Sequence, residues 1–117
     1  MRSIESQIQI ACVTWFKLQY AQYAKNFFSV PNGGFRNKIT GAILKKEGAL
    51  SGVADLQLAV PNRFYHGLFI EMKQPKGTQQ DTQKEFQKAV ESQGYKYVIC
   101  RSLDEFMEII NNYLKDI

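Results

Sequence analysis

The chain has 117 residues, 44% apolar and 22% charged, which is the composition of an ordinary soluble globular protein. That length predicts a single domain over residues 1–117, able to bury a core without metal or disulfide staples. No apolar run approaches the roughly 20 residues of a membrane span, and the N-terminus MRSIESQIQI lacks the apolar centre of a signal peptide. An intracellular protein with no membrane partner is expected.

The net charge of +4 is unevenly spread: residues 1–46 carry seven Lys/Arg against the single acid Glu5, while residues 47–117 carry eight against ten. The first part interleaves its cations with Trp15, Phe16, Tyr20, Tyr23, Phe27, Phe28 and Phe35. Such a stretch suits a polyanion, because each phosphate neutralised by Lys or Arg releases counterions; a solvated basic surface accounts for it equally well. Cys12 falls in a helix-like pattern and Cys100 in a strand-like one. They match no zinc spacing and no disulfide framework, so both are expected to be buried thiols.

From Ile4, apolar residues at Ile8, Ala11/Cys12, Trp15 and Leu18 predict an amphipathic helix running to about Lys25. A short strand-like piece, FFSVPN, ends in the breaker Asn32-Gly33-Gly34. NKITGAILKKEG predicts a second helix capped by Gly48. Two strand-like runs follow, GVADLQLAV and YHGLFIEMK, separated by a turn around Pro61-Asn62-Arg63. TQQDTQKEFQKAVESQG then reads as a helix opened by Thr78 and Asp81 in capping-box spacing and closed by Gly94. YKYVIC is a strand without strict alternation, as when both faces are covered. The last helix starts at the capping box Ser102 to Glu105 and carries Leu103, Phe106, Met107, Ile110 and Leu114. The order predicts an α/β protein, a mixed sheet flanked by helices.

Strand parity assembles a site. In the two central strands Ala54, Leu56, Leu58 and Val60 share one face, as do Leu68, Ile70 and Met72. If these sets are buried together, Asp55, Gln57, Phe69, Glu71 and Lys73 project from the other side. A loop at 61–65 then sets Asp55 opposite Glu71. Two carboxylates facing each other across a strand pair repel, and they become sensible when a divalent cation sits between them. Lys73 lies one step on, roughly 6 to 7 Å from Glu71, where it can orient or deprotonate a water or neutralise charge on a phosphorane. A lone Glu-x-Lys on a strand is common. The upstream Asp55 and the glutamine-rich helix that follows make this one sharper.

Four segments, SGVADLQLAVP, YHGLFIEMKQPKG, TQKEFQ and GYKYVICRSLDEF, together with ESQIQ and NGGFRNKITGAILKKEGALSG, resemble the virus-type replication-repair nuclease (VRR-NUC) family. This is a branch of the PD-(D/E)XK nuclease superfamily, and the resemblance covers nearly the whole chain. It implies a restriction-endonuclease-like αβββαβ core and Mg²⁺- or Mn²⁺-dependent DNA hydrolysis leaving 5′-phosphate and 3′-hydroxyl ends. The metal ligands implied are Asp55, Glu71 and the Met72 carbonyl, with Lys73 as the catalytic lysine. Gln83 matches the family's glutamine, expected to support the lysine or the water, and Glu5 its N-terminal acid, expected to aid a metal. Ala54 stands where the family usually has Pro.

The small size resembles stand-alone phage or bacterial members rather than the fused domain of the Fanconi-associated nuclease. Those members imply a homodimer cutting branched DNA as Holliday junction resolvases do. The aromatic stretch from Trp15 to Phe35 is a further ground for expecting a homodimer. Arg36, Lys38, Lys45 and Lys46 are candidates for phosphate contacts, or for a solvated face. Glu5 could equally complement a helix dipole, and Gln79, Gln80, Gln83 and Gln87 could simply face solvent. His66 is expected at the surface. A non-cleaving DNA- or junction-binding module and an end-processing or restriction-type nuclease on the same core are the alternatives.

Overall fold

The structure, a computed structural model, describes residues 3–31 and 38–117, with the backbone alone at 38–40. Asn32-Gly33-Gly34, Phe35 and Arg36 therefore lie outside the described residues. Helix α1, Ile4–Gln19, begins at Ser3, whose hydroxyl accepts the Ser6 N–H, with Glu5 in the first turn and Lys17 in the last. Both charges complement the helix dipole. The apolar periodicity predicts this helix to about Lys25, but α-geometry stops at Gln19 and a 3₁₀ segment, Ala21–Asn26, follows. Tertiary packing explains the difference. The Tyr20 ring packs against Trp15 and Phe16, its hydroxyl donates to Asn111, and the tighter turn brings Phe27 onto Phe16 with ring centroids 4.2 Å apart.

Strands β1 (Phe27–Ser29), β2 (Leu56–Leu58), β3 (Leu68–Met72) and β4 (Lys96–Cys100) form one sheet in chain order. β1–β2 and β2–β3 are antiparallel and β3–β4 parallel, the mixed sheet predicted. Helix α2, Lys38–Lys46, lies between β1 and β2 and ends before Gly48 (φ 108). Helix α3, Asp81–Glu91, makes the crossover from β3 to β4 and ends before Gly94 (φ 88); α4, Leu103–Leu114, closes the chain. No helix among the described residues is long and apolar enough to cross a membrane.

The register pairs Leu56 with Ile70 and Leu58 with Leu68, as parity requires. Asn62 shapes the intervening turn, its side-chain oxygen accepting the N–H groups of Phe64 and Tyr65. The even face packs Leu56, Leu58, Leu68, Ile70 and Met72 against Cys12 and Phe16 of α1 and Phe106, Ile110 and Tyr113 of α4. The odd face packs Phe69 and Tyr97 against Phe86 and Val90 of α3. Ala54 departs from the expected alternation. It joins the Phe69 and Tyr97 cluster, because residues 54 and 55 precede the regular strand and the chain bends there.

The caps differ in detail from expectation. α3 begins at Gln80, not at Thr78: the Gln80 side chain accepts from the Gln83 N–H, and Gln83 Oε1 accepts from the Gln80 N–H. In α4 Ser102 caps as predicted, while the Glu105 carboxylate accepts the Arg101 N–H. Cys12 and Cys100 are both fully buried free thiols. They meet in the core, where the hydrogen bond with Cys100, and then burial, hold the Cys12 thiol well above its usual range.

Candidate active site

Asp55 stands where β2 begins, and its backbone and side chain both complete the sheet. Its carbonyl accepts the Val30 N–H at 2.8 Å, and its Oδ2 accepts the Met72 N–H at 2.7 Å. The carboxylate therefore replaces a ladder acceptor at the end of β3. This fixes its direction toward Glu71, one step beyond the Leu56–Ile70 pair.

Glu71 is 2% exposed and Lys73 7%, the two charged side chains buried in this molecule among the described residues. Gln83 Nε2 donates to Glu71 Oε2 at 3.0 Å. Glu71 Oε1, equally buried, has no hydrogen-bond partner. Burial first, then repulsion from Asp55, pushes the Glu71 carboxyl from 4.5 up to about 8, with Lys73 pulling the other way. A buried carboxylate with one free oxygen and a like charge beside it is an expensive arrangement unless a cation is meant to join it.

One cleft of about 430 Å³ collects Glu5, Asp55, Glu71, Met72, Lys73 and Gln83, with Ser6 and Gln9 of α1 on the facing wall. Met72 buries its side chain in the core, so its contribution to the cleft is main chain. Glu5 occupies both of its expected places, the first turn of α1 and the cleft wall. Among the described residues, however, no cluster of three His, Cys, Asp or Glu forms. The donors gathered are two carboxylates and a carbonyl. That set fits Mg²⁺, which typically takes one or two carboxylates and keeps water or phosphate oxygens in its remaining positions, and the orphaned Glu71 Oε1 is the observation that favours it.

Gln83 donates to Glu71, and the same amide closes the α3 cap. The other glutamines are engaged too: Gln79 Nε2 donates to Gln87 Oε1 and to the Tyr97 hydroxyl. Tyr97 was not anticipated from the sequence. Burial, chiefly, raises its hydroxyl to about 12, with the Gln79 hydrogen bond opposing and the negative charges of Glu71 and Asp55 adding to it. Its odd number in YKYVIC, the parity of Phe69 and Glu71, was the available signal.

Of the basic candidates, Lys45 and Lys46 are exposed on α2, Lys38 begins that helix, and Arg36 lies outside the described residues. His66 is exposed, as expected, against Tyr95. The aromatic stretch goes largely inward: Phe16 and Phe27 are core, Trp15, Tyr20 and Tyr23 pack against it, and Phe28 is exposed.

A family model described as the VRR-NUC domain matches residues 4–104. Among solved structures, a VRR-NUC domain protein superposes with a TM-score of 0.85 at 24% identity, covering 99% of this chain and 92% of that one. No curated protein matches the sequence. At that identity the neighbour speaks for the fold, an αβββαβ core with α2 inserted and α4 appended, and the family match speaks for kinship. The chain belongs to the VRR-NUC domain family, a family of nuclease domains.

Proposed function

We propose that the protein is a metal-dependent deoxyribonuclease that cuts phosphodiester bonds in branched DNA. The observation that carries this is Glu71: buried, one oxygen unpartnered, facing Asp55 and followed two residues later by buried Lys73 in a single cleft. Asp55, Glu71 and the Met72 carbonyl would hold Mg²⁺ or Mn²⁺, with Glu5 reaching the site through water. When bound, the cation supplies Lewis-acid polarisation of the scissile phosphate and lowers the pKa of nearby water. Lys73 would lie beside the reacting phosphate, where it orients the attacking water or neutralises charge building on the phosphorane. Gln83 holds Glu71 in place through its 3.0 Å hydrogen bond, leaving Oε1 free for the cation. Lys45 and Lys46, with Lys38 and Arg36 near them in sequence, would neutralise flanking phosphates.

Cutting both strands of a branch needs two sites, which a symmetric homodimer supplies. Light scattering should then give twice the 13.5 kDa chain mass.

The test is cleavage of labelled four-way junction, flap, nicked and linear duplex DNA in Mg²⁺, Mn²⁺ or EDTA, comparing wild type with Lys73→Ala and Asp55→Ala. Cutting that requires the cation, falls at least about a hundredfold in both variants and favours branched substrates is expected. Binding of the junction in EDTA with no cleavage under any condition would instead make this a junction-binding module.

A further inference from the structure

Beside the Asp55, Glu71 and Lys73 cleft lies a second one of about 540 Å³, walled by Leu44 and Lys45 of α2, Leu50 and Gly52 of the following loop, and Gln80 and Gln83 of α3. Gln80 and Gln83 line both clefts, so the two adjoin at the start of α3. The far wall is fixed by a close approach. Gly52 (φ 88) lies so near the first turn of α3 that a Cβ there would sit 2.4 Å from the Thr82 carbonyl oxygen.

The lining chemistry is selective. Leu50 is 64% exposed and Leu44 half-buried, Lys45 supplies a cation, and no acid lines the cleft among the described residues. An apolar floor with one cation and no carboxylate is the complement of a nucleotide, whose base seeks apolar contact and whose phosphate seeks a cation. A second copy of this chain, with its own net charge of +4, is the poorer match. A base inside a duplex is stacked between its neighbours and has no face to offer. We propose, resting on the nuclease function above, that this cleft takes an unpaired nucleotide flanking the scissile phosphate, its base against Leu44 and Leu50 and its phosphate at Lys45. The preferred DNA is therefore splayed at the cut.

The test uses Leu50→Ala and Leu50→Glu, at an exposed position where circular dichroism and light scattering can verify fold and mass. Cleavage in Mg²⁺ and binding by fluorescence anisotropy in EDTA are compared on a duplex with a few unpaired nucleotides at the cut and on the fully paired duplex of equal length. Wild type should favour the splayed DNA by about tenfold or more, Leu50→Ala should lose several-fold of that preference, and Leu50→Glu should abolish it, with the smaller loss falling on paired DNA. Equal handling of the two DNAs by wild type, or equal loss on both in Leu50→Glu, would overturn the subsite and leave the nuclease standing. A change of mass in Leu50→Glu with the preference intact would reassign the cleft to contact between copies. Absence of all cleavage by wild type removes both proposals together.

Discussion

Glu71 is asked to ionise where its surroundings oppose it, and stability should reveal the conflict. With its carboxyl raised from 4.5 to about 8 in the folded chain, the native state keeps a proton that the unfolded chain has released between those values. The native state binds more protons there, so the Glu71 contribution to stability is fully present below about pH 4.5 and is lost as pH rises toward 8, by up to about 1.4 kcal/mol per pH unit. Glu71→Gln removes that slope. In EDTA the variant should melt higher than wild type at pH 8, with the advantage shrinking by pH 5. Adding Mg²⁺ should raise the melting temperature of wild type and leave the variant unmoved, because a ligand stabilises only the state that binds it. A pH-independent difference between the two proteins would mean that Glu71 is not held protonated by its site.

Among the elements, the segments that close on the site carry the tightest constraints. The turn Gln74–Gly77 after β3 is a hydrogen-bonded one, Gly77 N–H to Gln74 carbonyl, and Arg101 Nη1 donates to the carbonyls of both Gln74 and Gly77. Gln-Pro-Lys-Gly is thus a turn clamped by Arg101 from the junction between β4 and α4, which holds the exit of Lys73 while α3 begins. Across the groove Gly52 has no alternative. Gly52→Ala meets both the left-handed φ and the Thr82 carbonyl, and should lower stability by about 1–3 kcal/mol in urea unfolding. Because the displaced first turn of α3 carries Gln83, cation-dependent stabilisation should weaken as well. Most of this was legible in the sequence as element order and the Asp55–Glu71–Lys73 face, since periods of 2 and 3.6 are local signals; the start of α3 at Gln80 was not. The end of α1 at Gln19 was not, because the Tyr20 contact with Asn111 belongs to the tertiary fold. Nor were the double use of Gln83 or the role of Tyr97, which arise from register between distant strands.

At the scale of the molecule, α1 and α4 share one face of the sheet and α3 takes the other, so the cleft opens at the end of the strands with one wall from each side. Glu5, Ser6 and Gln9 reach it from α1, Gln80 and Gln83 from α3. The wall on α1 is held chiefly by aromatic packing, Phe16 on Phe27 and Trp15 edge-on to Phe106. Cys12 of α1 and Cys100 of β4, both fully inaccessible, sit at the same junction. They make that junction a clock: a thiol reagent can modify them only while α1 is lifted from the sheet, so its rate in native buffer reports how often the site comes apart. With one cooperative core, mass spectrometry should find unmodified and doubly modified chains and few singly modified ones. Phe106→Ala, which costs about 3–5 kcal/mol of packing, should speed both thiols together. Accumulation of chains modified at Cys12 alone would give α1 an opening of its own, and the cleft would then breathe by shedding one wall while the carboxylate pair stays in place.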